Sequence, residues 1–153
     1  MFDRSQIDRF SAGGQQLREA VAGLNQQKLT AFPIPGTWSI HQIVVHLMDS
    51  DLVMTDRMKR TIAMDNPLLT AFDESAYIQR LSPHALPVEQ CIGLFDQNRQ
   101  LMATILRHLP DEAFDRAGTH NERGRITLAE QLAGSIDHLE HHLRFIQKKR
   151  AMV

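Results

Sequence analysis

The chain has 153 residues, 42% hydrophobic and 23% charged, with a net charge of −1 at neutral pH. That length can bury a full core, expected as one domain over residues 1–153, and the near-zero charge leaves no basic stripe for nucleic acid and no polybasic patch for a membrane surface. A single cysteine, Cys91, excludes an intrachain disulfide framework and fits a reducing compartment.

The expected location is the cytoplasm, for two reasons. No basic-then-apolar leader opens the chain at Met1-Phe2-Asp3-Arg4-Ser5, and no apolar run approaches the roughly 20 residues that span a bilayer.

From Asp3 to about Asn25, apolar residues recur at Ile7, Phe10, Leu17, Val21 and Leu24, with Gly14 in the remaining slot. That spacing predicts an amphipathic first helix. Gly13-Gly14 either weakens it or permits a close helix approach. Phe32-Pro33-Ile34-Pro35-Gly36 is a connection, because proline lacks the amide donor and clashes with the preceding turn.

The second helix is predicted to begin at Ser39, where Ser39 and Gln42 have capping-box spacing and Trp38 can staple onto Ile43. Its main stripe is Ile40, Ile43, Val44, Leu47, Met54, Met58 and Ile62. Val45, Met48, Leu52 and Val53 carry apolar character round the cylinder, so more than one neighbour or a second subunit should cover it. Asp51 falls inside the stripe, where a carboxylate requires a partner.

Asp65-Asn66-Pro67 ends that helix, and residues 66–82 form a crossover with a short helix around Asp73–Arg80. The third helix starts after Ser82-Pro83 or at Pro87. Its core face is Val88, Cys91, Ile92, Phe95, Met102, Ile105, Leu106 and Leu109, and Pro110 closes it.

Residues 110–126 read as loop. Thr127 and Glu130 form a second capping box before a fourth helix running to about Lys149, with Leu128, Leu132, Ile136, Leu139, Leu143 and Ile146 as its seam. Lys148-Lys149-Arg150 complement the negative end of its dipole. No strand alternation is evident, and four helices of about 20 residues make an all-α four-helix bundle the economical fold.

Eight histidines populate this frame. His138 and His142 are four apart on the fourth helix, so both can turn a nitrogen onto one divalent ion. Alternatively they are boundary histidines bonded to other helices. His141 points nearly opposite the seam, towards solvent. On the second helix His46 lies off the main stripe beside Ser50 and Val53, His41 lies on the other flank, and periodicity does not choose between them. His84, His108 and His120 fall near helix ends or in loops, where solvent is the default. His120 is the one of these placed to assist a site from a loop.

Trp38-Ser39, then His46-Leu47-Met48-Asp49-Ser50-Asp51, then Thr127-Leu128 leading to His138-Leu139-Glu140-His141-His142, resemble the DinB-like superfamily over essentially the whole chain. The resemblance implies up-down-down-up helix order with a long crossover between helices 2 and 3, a homodimer, and a three-histidine metal site at one end of the bundle. The implied ligands are His46, His138 and His142. Asp51 stands where the family often has glutamate, one methylene shorter, which leaves it and His120 as candidates for a supporting role.

Three neutral imidazoles with an open fourth position is the catalytic style of zinc coordination; nickel or iron would also suit the donors. Such an ion can lower the pKa of bound water to about 7 or polarise a carbonyl or thiol. Two functions are therefore expected in competition. One is a metal-dependent enzyme acting on a small molecule, by hydrolysis or by transfer to a low-molecular-weight thiol. The other is a non-catalytic, stress-associated dimeric bundle. A deep cleft opening onto the histidines would favour the first.

Overall fold

The computed structural model describes residues 1–153. The elements in chain order are α1 (Ser5–Ser11), α2 (Gly13–Val21), α3 (Gln26–Thr30), α4 (Ile40–Ala63), β1 (Leu68–Leu69), α5 (Glu74–Arg80), α6 (Val88–Arg107), β2 (Ala117–His120), β3 (Gly124–Thr127) and α7 (Leu128–Arg150). Short 3-10 turns occupy Pro83–Ala85 and Asp111–Asp115. Four rods make the bundle: α1 with α2, α4, α6 and α7.

Side-chain bonds between the rods fix their directions. Arg4 reaches Asp111 while Arg18 reaches Glu89, so the first rod runs against α6. Arg9 bonds Glu140 and Arg150 bonds the Ala20 carbonyl, so the first rod runs with α7. His41 to the Leu86 carbonyl just before α6, and Arg116 just beyond α6 to the Thr61 carbonyl, set α4 parallel to α6. Gln131 to Thr61 sets α7 antiparallel to α4, because the start of one meets the end of the other. The order is up-down-down-up, and the parallel α4–α6 pair requires the long crossover.

Local signals begin the two longest helices. The Ser39 hydroxyl accepts from the Gln42 amide at 3.1 Å, while Gln42 Oε1 accepts from the Ser39 amide at 2.9 Å. Thr127 and Glu130 repeat the motif at 3.1 and 2.7 Å. Each box satisfies amides that the helix start leaves without partners. The predicted first helix is broken at Ala12 rather than continuous to Asn25, and α3 adds a turn capped by Asn25. Gly13 is the reason for the close approach there: a Cβ would stand 2.5 Å from Arg99 Nη1 and 2.8 Å from Leu139 Cδ2.

The absence of strands expected from the sequence is corrected. β1 pairs parallel with β2, and β2 pairs antiparallel with β3, with Leu68 opposite Thr119 and Gly118 opposite Ile126. Residues 110–126 are thus a 3-10 turn and a hairpin rather than loop. Strands of two to four residues are too short to display alternation.

The core lies in two apolar layers. One gathers Leu17, Val21, Val44, Leu47, Ile92, Phe95, Leu139 and Ile146; the other gathers Ile7, Phe10, Met58, Met102, Leu106, Phe114, Leu132 and Ile136. The periodic stripes supply nearly all of it, each fully buried large side chain contributing about 1.5–3 kcal/mol. Ile105 and Leu52, expected to be covered, are 37% and 39% exposed. Between the layers, at the level of Asp51 and Arg99, the interior is polar.

Candidate metal centre

His46 comes from α4, and His138 and His142 come from α7, which packs antiparallel against it. The i,i+4 spacing stacks the two α7 rings on one face, and their centroids are 4.7 Å apart. The His46 ring lies 5.0 Å from that of His138 and 4.7 Å from that of His142. One nitrogen from each of the three can be chosen so that all lie within 4.8 Å of one another. His46 Nε2 and His138 Nε2 face each other at 3.0 Å.

The electrostatics keep all three rings neutral. Burial, then the two neighbouring imidazoles, lowers the pKa of His46 to about 3. Burial, then the Arg99 guanidinium, lowers His138 to about 4, and burial with His138 lowers His142 to about 4. A neutral imidazole offers a lone pair, which is the form that ligates metal. The Ser50 hydroxyl lies 3.3 Å from His46 Nδ1. His142 Nδ1 is buried and has no hydrogen-bond partner, although a buried polar atom of this kind nearly always has one. A divalent ion takes one lone pair from each of three such neutral rings, and the donor set fits a metal.

A carboxylate that the periodicity did not reveal stands beside the rings. Glu74, on the short helix α5 of the crossover, has Oε2 3.6 Å from His46 Nε2 and is half exposed. Only the path of the crossover brings it there; its nearest signal in the sequence was the short helix expected around Asp73–Arg80.

Asp51 is 1% exposed and is held by Arg99 Nε at 2.8 Å and Asn98 Nδ2 at 2.8 Å. Burial pushes its carboxyl up, against the pull of Arg99 and Asn98. Arg99 in turn is sandwiched between the rings of Phe10 and Phe95, each 4.4 Å from its guanidinium carbon, and donates to the Phe10 and Ser135 carbonyls. No hydrogen bond joins Asp51 to a histidine. Its bearing on the rings runs through Arg99, the cation that disfavours protonation of His138.

The other histidines have separate employment. His41 is buried, with Nε2 bonded to the Leu86 carbonyl at 2.8 Å, so it does not join the three. His84 bonds Ser39 Oγ and His108 bonds the Thr104 carbonyl; His141 is exposed. His120 is buried rather than solvated. It lines a separate cavity of about 70 Å³ with Arg57, Arg123 and Gln131, and its Nδ1 accepts from the Glu122 amide.

A cavity of about 260 Å³ opens on the other side of the rings, lined by Thr37, Trp38, Ile43, His142, Phe145 and Lys149 among others. Trp38 forms its wall against the centre, its ring 4.9 Å from that of His46 and 6.5 Å from that of His142. Lys149, one of the three cations expected to complement the dipole at the end of α7, is 1% exposed, and its ammonium donates to the Thr37 hydroxyl.

Residues 9–146 match the sequence profile of the DinB superfamily. Two proteins of Oceanobacillus iheyensis, each named "Putative metal-dependent hydrolase", are similar to this chain. One is 31% identical over 93% of this chain and 80% of its own length; the other is 28% identical over 85% and 75%. Among solved structures, Bacillus subtilis YfiT, described as a probable metal-dependent hydrolase with an unusual four-helix bundle topology, superposes with a TM-score of 0.90. It is 24% identical, over 95% of this chain and 83% of its own. A mycothiol-dependent maleylpyruvate isomerase superposes with a TM-score of 0.71 at 10% identity, over 92% of this chain and 58% of its own.

Proposed function

The chain belongs to the DinB superfamily, and from that premise we propose that it is a metal-dependent enzyme acting on a small molecule, by hydrolysis or by transfer to a low-molecular-weight thiol. The observation that carries this reading is the cavity of about 260 Å³ whose lining includes His142, one of three imidazoles clustered with no fourth protein donor in their group. A structural zinc site is closed by four protein ligands, whereas a catalytic one keeps a position for water or substrate. The relatives named as metal-dependent hydrolases support the hydrolytic arm, and the fold likeness to a mycothiol-dependent enzyme suggests the thiol arm.

In this reading His46, His138 and His142 hold the ion, with zinc, nickel or iron all compatible with the donors. The ion supplies Lewis acidity when bound, acidifying water or a thiol and polarising a carbonyl. Glu74, beside His46 and open to solvent, would accept the proton of the attacking water or thiol and return it to a leaving alkoxide, or pass it to bulk where the leaving group departs as a stable anion such as a halide. Trp38, Ile43 and Phe145 hold the apolar part of the substrate against His142 and exclude water from it. Burial, and then Arg99 fixed by Asp51, keep His138 deprotonated.

A second reading, a non-catalytic metal-binding dimer, draws on Leu94, Leu101 and Ile105, which form an exposed apolar line on α6. Pairing of two chains through that line is compatible with the enzyme, and the cavity at His142 favours the enzyme. A cytoplasmic setting, with no nucleic-acid or membrane partner, completes the proposal; no helix is long and apolar enough to cross a membrane.

The test is turnover of chromogenic esters, and of small thiols with an electrophilic aryl halide, by metal-loaded protein. Activity should vanish on chelation, return with the ion, and fall about 10²-fold in Glu74→Gln, the range of a lost general base. Turnover that survives chelation, or no turnover by either route from protein carrying one ion per chain, would overturn the proposal.

A further inference from the structure

Lys149 is the anomaly of the cavity. Long cationic side chains near a helix end ordinarily run their stem along apolar surface and leave the head in water. Lys149 does not: the residue is 1% exposed. A buried cation is ordinarily paired with a carboxylate, yet the one partner of its ammonium is the neutral Thr37 hydroxyl, and Lys148 acts on it as a like charge. An ammonium carries three N–H donors, so two are without a protein acceptor. Lys148 and Arg150 already supply charge to the C-terminal end of α7, which makes a third cation turned inward redundant for the dipole.

The position of this ammonium matters as much as its isolation. Lys149 and His142 are seven residues apart on α7, two helical turns and so on one face, about 10 Å along the axis. Both line the same cavity, with Trp38, Ile43 and Phe145 as apolar walls. A concavity of about 260 Å³ has room for a compact molecule of about ten heavy atoms.

We propose that Lys149 makes this cavity a site for a small molecule with one carboxylate and an apolar body, the carboxylate bonded to the ammonium and the other end directed at His142. One ammonium matches one carboxylate in charge; a phosphate dianion would require further donors, and the remaining walls are predominantly apolar. As a statement about substrate the inference rests on the enzymatic reading; as a statement about binding it does not.

The probe is phenylacetate against its neutral isostere phenylacetamide, titrated into the full chain both metal-stripped and zinc-loaded. Trp38 is the sole tryptophan, so its fluorescence and indole N–H resonance report on this cavity and on the adjoining histidines, which the paired metal-stripped and zinc-loaded titrations separate. Phenylacetate should bind about 10- to 100-fold more tightly than the amide in both metal states, the range of a hydrogen bond to a charged group. The preference should disappear in Lys149→Met and persist in Thr37→Val, which keeps the ammonium. Should Lys149→Met fail to fold, the Lys149 Nζ resonance of the unaltered protein answers the same question, shifting with phenylacetate and not with the amide.

Equal binding of the two probes, no binding of phenylacetate, or a preference that Lys149→Met retains would overturn the inference. So would a preference seen only with zinc, since the anion would then sit on the ion. Protein that takes up none of zinc, nickel or iron yet prefers phenylacetate through Lys149 would refute the metal centre and leave this site standing.

Discussion

Two clusters of ionisable side chains occupy the interior of this bundle, five residues apart along α4, and they are satisfied in opposite ways. Asp51 and Arg99 neutralise each other at 2.8 Å, and Asn98, two backbone carbonyls and two aromatic faces give them further partners. The histidine cluster is the reverse. Its three rings approach one another with only the half-exposed Glu74 carboxylate beside them, two nitrogens meet at 3.0 Å, and His142 Nδ1 has no partner. A buried polar group left in that condition costs about 1–3 kcal/mol. The pair finds its partners within the protein; the cluster leaves a buried nitrogen without one.

The largest expected effect separates the two at once. Asp51→Ala leaves Arg99 charged and unpaired in the interior and should cost about 3–5 kcal/mol of unfolding free energy in a urea titration. His138→Ala in metal-free protein should cost far less, because it relieves crowding among the rings. A histidine substitution as costly as the aspartate one would show that the cluster is structural.

Acid should act on the cluster next. The three imidazoles titrate at about 3 to 4 in the folded chain and near 6.5 when unfolded. Below pH 6.5 the unfolded chain therefore binds protons that the folded one refuses, so stability is greatest above 6.5 and falls as pH falls towards 4. Between pH 7 and 5.5 the metal-free protein should lose about 1 kcal/mol per imidazole, about 3 in all. His138→Ala should lose about a third less over the same interval. A flat profile would show that the rings are not held neutral.

The smallest effect sharpens the comparison by touching neither cluster. Ser39→Ala removes the cap of α4 and the hydroxyl that meets His84, for about 1 kcal/mol by thermal denaturation. Metal affinity should be unchanged, since His46 lies two turns beyond the cap. A parallel loss of metal affinity would mean that the centre depends on the register of the helix start.

Much of this was legible in the sequence because it is local. The capping boxes at Ser39 and Thr127, the stripes of α4 and α7 and the i,i+4 spacing of His138 and His142 each depend on residues within one or two turns. The place of His46 was not local: its turn towards α7 rather than solvent depends on which helices neighbour α4, and the periodicity left it level with His41.

Arg99 could have been found, since it occupies the slot between Phe95 and Met102 in the apolar stripe of α6, as Asp51 does in that of α4. Two opposite charges in two core stripes already suggest a pair. Glu74 and Lys149 had no such signal. The first is positioned by the path of the crossover, and the second sat in a run of cations that reads as the dipole complement of a helix end.

The central claim is that His46, His138 and His142 share one ion, and calorimetric titration of the metal-stripped protein with zinc or nickel tests it most directly. The account predicts one equivalent bound per chain, with affinity lowered at least 100-fold by alanine at any one of the three positions and unaltered by alanine at His41. No saturable binding, or wild-type affinity retained by any one of the three single variants, would contradict it.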